Sequence, residues 1–232
     1  MTKKWIWMLC LLLVHHAASA ADASQVFYAL RDKMLKIKDY TADVKVKIDV
    51  AHIRIPEVKG KLYFKSPDKM RLERNGGISV LPKKNINMSV RNMMPAGNVT
   101  ALDAGYETID GKKARIIKVI PEDEGNIVLS KLWIDEVLMV VLKTETTTRD
   151  EGMVVMKLKY GAYTVQGLPD QLTVLMDVKD YKLPAGVTMD YNDPTEIKKP
   201  KDGKPKKGSI QLTYLKYTIN TGLTDEVFNK KK

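Results

Sequence analysis

From Tyr40 to Val50 the chain reads YTADVKVKIDV. Tyr40, Ala42, Val44, Val46, Ile48 and Val50 share one parity, and Thr41, Asp43, Lys45, Lys47 and Asp49 share the other. Side chains alternate across a strand, so the pattern predicts a strand with one apolar and one wet face. The same period of two recurs along most of the chain. Leu62 and Phe64 share a parity, as do Met70 and Leu72; Ile117 and Val119 oppose Ile116, Lys118 and Ile120. Leu132 and Ile134 flank Trp133; Met156, Leu158 and Tyr160 alternate with Lys157 and Lys159; Leu172, Val174, Met176 and Val178 alternate with Thr173, Leu175 and Asp177. Ile210, Leu212 and Tyr214 open a last run, whose parity changes by Leu215, Tyr217 and Ile219.

Turn signals separate these runs: Ser66-Pro67-Asp68, Asn75-Gly76-Gly77, Asp110-Gly111, Glu124-Gly125-Asn126, Glu151-Gly152 and Leu168-Pro169-Asp170. The pattern predicts roughly 10–12 strands in an antiparallel meander. One segment has a different period. Val26, Phe27, Leu30, Met34 and Ile37 recur at spacings of three and four, with Arg31, Lys33, Lys36 and Lys38 among them. This predicts an amphipathic helix of about 14 residues, opened at Gln25 and capped by Ser24. Two stretches break the meander. Asn92–Thr100, NMMPAGNVT, reads as a Met-rich loop, and Asp193–Gly208 holds KKPKDGKPKKG, which has nothing apolar to bury and reads as a solvated insertion.

The first twenty residues, MTKKWIWMLCLLLVHHAASA, have basic Lys3 and Lys4, a short apolar run from Trp5 to Val14, and small residues at Ala18-Ser19-Ala20. That is the layout of a cleavable signal peptide over residues 1–20, leaving 21–232 as a single exported domain. The net charge of +11 keeps the chain basic without Lys3 and Lys4. The lysines alternate along strands, and no aromatic-basic motif accompanies them, so nucleic acid is not an expected partner. The one cysteine, Cys10, and two of the three histidines, His15 and His16, sit in the leader. A mature chain with no thiol and His52 alone cannot build a thiolate site or a His-rich metal centre. Glu122-Asp123-Glu124 precede a Gly-Asn turn and read as solvated hairpin residues. No catalytic residue, metal or cofactor is predicted.

Three segments resemble one family. GKLYFKSPDKMRLE (Gly60–Glu73) is similar to its Gly-led strand, Pro turn and strand with a basic residue; SKLWIDEVLMVVLKTET (Ser130–Thr146) to its LWID strand and the strand after it; and YLKYTINTGLTDEVF (Tyr214–Phe228) to its closing strand and IN…F ending. The chain thus resembles the LolA-like family of periplasmic lipoprotein carriers, the receptor LolB and RseB-type sensor domains. The resemblance implies a half-open antiparallel β-barrel with an N-terminal amphipathic helix over an apolar concave face. It implies a periplasmic, monomeric, non-enzymatic carrier or receptor. Its ligands would be acyl chains of lipids or lipoproteins bound for the outer membrane, with a transient membrane or envelope protein as a further partner. The alternative it leaves open is an RseB-like sensor or interaction module whose concave face is filled by side chains.

Carried onto this chain, the cavity and lid would comprise Phe27, Leu30 and Met34 of the helix. From the first strands they would take Val44, Val46, Ile48, Leu62, Phe64, Met70 and Leu72. The later strands would add Ile134, Met139, Met156, Leu158, Leu172, Val174 and Met176. Methionines suit an adaptable apolar surface. Met93 and Met94 would either tuck under the sheet edge or gate the cavity mouth. One departure stands out: where lipoprotein carriers often have an arginine before the turn proline, holding the lid, this chain has Ser66. A latch here is absent or built differently.

Overall fold

The computed structural model describes residues 22–50, 53–54, 56–74, 94–150, 152–177 and 207–229. The predicted signal peptide, His52, Asn75-Gly76-Gly77, Met93 and the lysine-rich 193–206 lie outside the described residues.

Among the described residues, one helix, α1 (Ala23–Leu35), precedes eleven strands. They are β1 (Asp39–Val50), β2 (Ile53–Arg54), β3 (Val58–Lys65), β4 (Lys69–Arg74), β5 (Val99–Ile109) and β6 (Lys112–Pro121), then β7 (Ile127–Asp135), β8 (Val140–Thr148), β9 (Gly152–Lys159), β10 (Gln171–Asp177) and β11 (Lys207–Ile219). A short helix, α2 (Glu226–Asn229), follows. All strands join one antiparallel sheet in the order β4-β3-β1-β11-β10-β9-β8-β7-β6-β5, with the short β2 paired to β1. β4 and β5 are neighbours in sequence and stand at opposite edges. The sheet therefore remains an open half-barrel and is not closed into a barrel.

The parity of Tyr40–Ile48 is realised. All five apolar residues from Tyr40 to Ile48 are buried, and Asp43, Lys47 and Asp49 are exposed. The parity change in the last run has a local cause. Ala42 pairs with Tyr217 and Asp43 with Lys216, but Val44 pairs with Tyr214, so Leu215 is an extra residue in a β-bulge. A bulge places two residues opposite one, which turns both Tyr214 and Tyr217 inward and leaves Leu215 54% exposed.

Three sequence expectations are corrected. Asp22, not Ser24, caps α1: its carboxylate accepts from the Ser24 N–H at 3.5 Å, and the helix starts two residues earlier than predicted. Aspartate and serine serve equally as caps, so spacing alone did not choose between them. Ile37 lies beyond the helix end and is buried just before β1. The loop read over 92–100 ends sooner, because Val99 and Thr100 already pair with Pro121 and Ile120 in the β5–β6 hairpin.

Turn chemistry follows the sequence signals. Asp110 (φ 49°) and Gly111 (φ 79°) supply two consecutive left-handed residues for the tight β5–β6 turn. Gly60 answers a different need: a Cβ there would stand 2.6 Å from the Glu73 carbonyl oxygen on β4. The Gly-led strand thus reflects a close approach of two backbones.

Most buried apolar residues form one cluster on the concave side, to which α1 contributes Ala23, Val26, Phe27 and Leu30. A smaller cluster on the convex side contains Ala114, Ile116, Trp133, Val140 and Leu142. The Trp133 indole donates to Glu107 at 2.6 Å, and the Lys131 and Lys143 ammonium groups stand 4.3 and 4.1 Å from its ring. These strands are covered on both faces, which simple alternation did not predict.

Candidate functional site: an apolar concave face under one helix

The register defines rows of side chains running across the concave face. One row passes from Ile117 on β6 through Leu132, Thr144, Met156, Val174 and Ile210 to Ile48 on β1. Its neighbour contains Leu158, Leu172, Leu212, Val46 and Val58. All are buried, and the first row is at most 5% exposed throughout. Period-two alternation on seven paired strands therefore yields a broad, curved apolar surface.

The structure brings most of the predicted lining residues into this one cluster. Phe27 and Leu30 of α1, Val44, Val46 and Ile48 of β1, Leu62 and Phe64 of β3 and Leu72 of β4 are buried in it. So are Met94, Ile134, Met156, Leu158, Leu172 and Val174. Met34, Met70 and Met139 are half-buried and packed against it, Met139 from the β7–β8 turn with φ 50°. Met176 is placed by its backbone alone, in β10. Of the Met93-Met94 pair, only Met94 lies among the described residues, and at 6% exposed it occupies the position of the tucked-under reading.

One end of the concave face is aromatic. Tyr40 stacks on Phe64 with ring centroids 5.0 Å apart, Tyr217 meets Tyr40 edge-on at 5.3 Å, and Tyr214 stacks on Tyr217 at 5.0 Å. Tyr217 donates its hydroxyl to the Pro169 carbonyl at 2.7 Å, and Tyr40 and Tyr214 hydrogen-bond each other. Burial drives the phenol pKa of Tyr40, Tyr160, Tyr214 and Tyr217 upward, so these hydroxyls stay neutral and act as polar handles in an apolar wall.

The helix is held over this surface by two cations. Arg31 donates from Nη1 to the carbonyls of Ala96 (3.1 Å) and Gly97 (2.7 Å), just before β5, while its guanidinium stands 4.6 Å from the Tyr28 ring. Lys33 donates to the Leu138 carbonyl in the β7–β8 turn (2.8 Å) and to the Thr164 carbonyl before β10 (3.2 Å). Partial burial, then the nearby Lys36 charge, lowers the Lys33 pKa. The β7–β8 turn is itself fixed, because Asp135 accepts from the N–H groups of Val137 and Leu138 at 3.1 and 3.0 Å. Ser66 takes no part in this latch; its backbone N–H donates to the Lys38 carbonyl at 2.7 Å. In sequence Arg31 and Lys33 looked like the solvated side of an amphipathic helix, and no spacing rule marks them as anchors.

The C-terminal segment closes the opposite flank. Asn220 (φ 54°) accepts from the N–H groups of Lys38 (2.7 Å) and Asp39 (3.3 Å) and donates to the Lys36 carbonyl (3.0 Å). Asp39 accepts in return from the N–H groups of Thr221 and Gly222 at 2.8 and 3.0 Å. Beyond this knot Asp225 bridges Lys65 and Lys69, both at 2.7 Å, and Arg71 donates to the Val227 carbonyl at 2.6 Å. The first and last segments that carried the family resemblance therefore bind each other.

An open antiparallel sheet with a helix across its concave side is the LolA-like fold. Solved structures with this architecture are similar to the chain. They include a domain from Vibrio parahaemolyticus assigned to the outer membrane lipoprotein-sorting proteins, with 12% identity, a TM-score of 0.51, and coverage of 88% of this chain and 95% of that one. A DUF1329 family protein from Desulfovibrio piger has 12% identity and a TM-score of 0.53, covering 90% and 98% of the two chains. A LolA superfamily protein from Nitrosomonas europaea has 10% identity and a TM-score of 0.51, covering 91% and 99%. No family model matches the sequence, and no curated protein matches it either. At such identities the likeness is one of fold.

Proposed function

We propose that the protein is an exported, non-enzymatic carrier or receptor that takes the acyl chains of lipids or lipoproteins onto its concave face in the periplasm, for transfer to the outer membrane. The observation that carries this reading is the way the concave face is covered. Seven strands present a largely apolar surface, and the covering helix is held at its edges by Arg31 and Lys33 on four carbonyl oxygens. Release of such a cover breaks these surface-side hydrogen bonds and uncovers Ala23, Val26, Phe27 and Leu30, whose apolar contacts an entering acyl chain replaces. Each methylene then transferred from water onto the apolar face contributes about 0.8 kcal/mol. A pair of long acyl chains supplies enough of these to exceed the cost of ordering them.

A second reading draws on the same residues. Phe27, Met156 and Val174 are 0% exposed, which suits a concave face filled by its own side chains and a role as a sensor or interaction module. Titration with a fluorescent acyl probe separates the two. A carrier binds the probe saturably, and an unlabelled fatty acyl lipid displaces it. An interaction module leaves the probe free in solution at every protein concentration.

A further inference from the structure

The transverse row from Ile117 to Ile48 is apolar at every position but Thr144. Thr144 pairs with Leu132 on one side and Met156 on the other, both in the main cluster, so it shares their concave face. It is 0% exposed, and among the described residues its Oγ1 has no hydrogen-bond partner. Its neighbours along β8 are different. Thr146 Oγ1 lies 3.1 Å from Ser130 Oγ, and Thr148 donates to the Gly152 carbonyl at 3.1 Å. A buried hydroxyl left without a partner is uncommon and calls for a physical reason. Valine would fill the same volume in this apolar row, without a polar atom to satisfy.

We propose that Thr144 is the polar contact of the lipid site, its hydroxyl donating to the carbonyl oxygen through which an acyl chain is esterified or amidated. This rests on the reading of the concave face as an acyl-chain site. The chemistry selects the class. A lone neutral hydroxyl matches a carbonyl oxygen, which accepts and has no proton to give. A carboxylate or phosphate would need a cation, and no residue of this row carries a charge. The ligand is therefore a neutral ester- or amide-linked chain whose headgroup lies elsewhere. Its carbonyl sits at mid-sheet, with the apolar row of Leu158, Leu172, Leu212, Val46 and Val58 on one side for the hydrocarbon, while the row on the other side holds the paired Ser130 and Thr146 hydroxyls.

Monopalmitoylglycerol and 1-O-hexadecylglycerol differ at the linkage, an ester against an ether without the carbonyl. Their affinities are read by displacement of a fluorescent acyl probe from the full chain. The wild type is expected to prefer the ester by about tenfold, the scale of one hydrogen bond. Thr144→Val is expected to erase that preference by weakening the ester alone, with an unchanged or higher melting temperature, and Thr144→Ser to retain it. A wild type that binds both lipids equally overturns the proposal, leaving Thr144 a packed core residue or the seat of a water. So does a preference that survives Thr144→Val. If neither lipid displaces the probe and the probe itself does not bind, the acyl-chain reading fails, and this inference falls with it.

Discussion

Val174→Asp and Thr173→Asp place the same carboxylate on adjacent residues of β10, one on each face of the sheet. Val174 is 0% exposed between Met156 and Ile210, whereas Thr173 is half-exposed between Lys157 and Gln211. At Val174 the change removes the burial energy of a valine side chain, about 1.5–3 kcal/mol. It also leaves a carboxyl group unpaired among apolar neighbours, at about 1–3 kcal/mol if neutral and more if ionised. The loss is expected to be about 3–6 kcal/mol, a large share of the about 5–15 kcal/mol that holds a domain together. Thr173→Asp sits beside Lys157 in solvent and is expected to change stability by less than about 0.5 kcal/mol. Urea unfolding followed by circular dichroism measures both. The pH dependence adds a signature. Burial raises the folded-state pKa of the new carboxyl above its unfolded value, so the penalty is largest at neutral pH and shrinks as pH falls toward about 4. Equal losses at the two positions, or a Val174→Asp penalty that ignores pH, would refute the assignment of the concave face.

Three further outcomes follow from the contacts around the helix and the closing segment. Arg31→Ala with Lys33→Met removes the carbonyl anchors of α1. This is expected to cost about 1 kcal/mol per residue at these partly exposed positions, to lower the melting temperature by several degrees and to speed acyl-probe uptake in stopped flow; a lower melting temperature with unaltered uptake would show that α1 is not the cover that moves. Asn220→Ala loses three hydrogen bonds and places alanine at φ 54°; the expected destabilisation is about 2 kcal/mol in urea, and a variant as stable as wild type would show that the knot contributes nothing. The bridges to Lys65 and Lys69 lower the Asp225 pKa to about 2. A depressed carboxylate stabilises above its unfolded pKa and loses that contribution as pH falls through the folded value. Hydrogen exchange at Val227 and Phe228 is therefore expected to lose protection between pH 4 and pH 2 by an amount that Asp225→Asn abolishes, and protection that stays level down to pH 2 in the wild type would contradict the bridge.

The apolar half of this molecule was legible because strand parity is a strong signal. Val44, Leu62, Met156 and Val174 announce their face by alternation alone, and Asp110-Gly111 announces its turn. The hidden part is polar. Lys-Thr-Glu-Thr-Thr-Thr, residues 143–148, is hydrophilic at both parities, so its period-two pattern is silent, and Thr144 gave no hint that it lies fully buried. Arg31 and Lys33 find their partners 65 to 131 residues away, on carbonyl groups whose positions only the folded sheet fixes. Leu215 is the intermediate case: the parity slip was visible, but the bulge that causes it needs the register with Asp43 and Val44. Trp133 between two lysines was visible as Lys131, Trp133 and, ten residues on, Lys143, with nothing in the sequence to pair them.

If the concave face holds acyl chains, native mass spectrometry of the protein purified without detergent shows a population heavier than the apo mass by one lipid. Organic extraction should release that lipid, and Val174→Asp should abolish the heavier population in molecules that remain folded. A clean apo mass that stays unchanged after incubation with acyl lipid would contradict acyl-chain binding, leaving the face as a packed core.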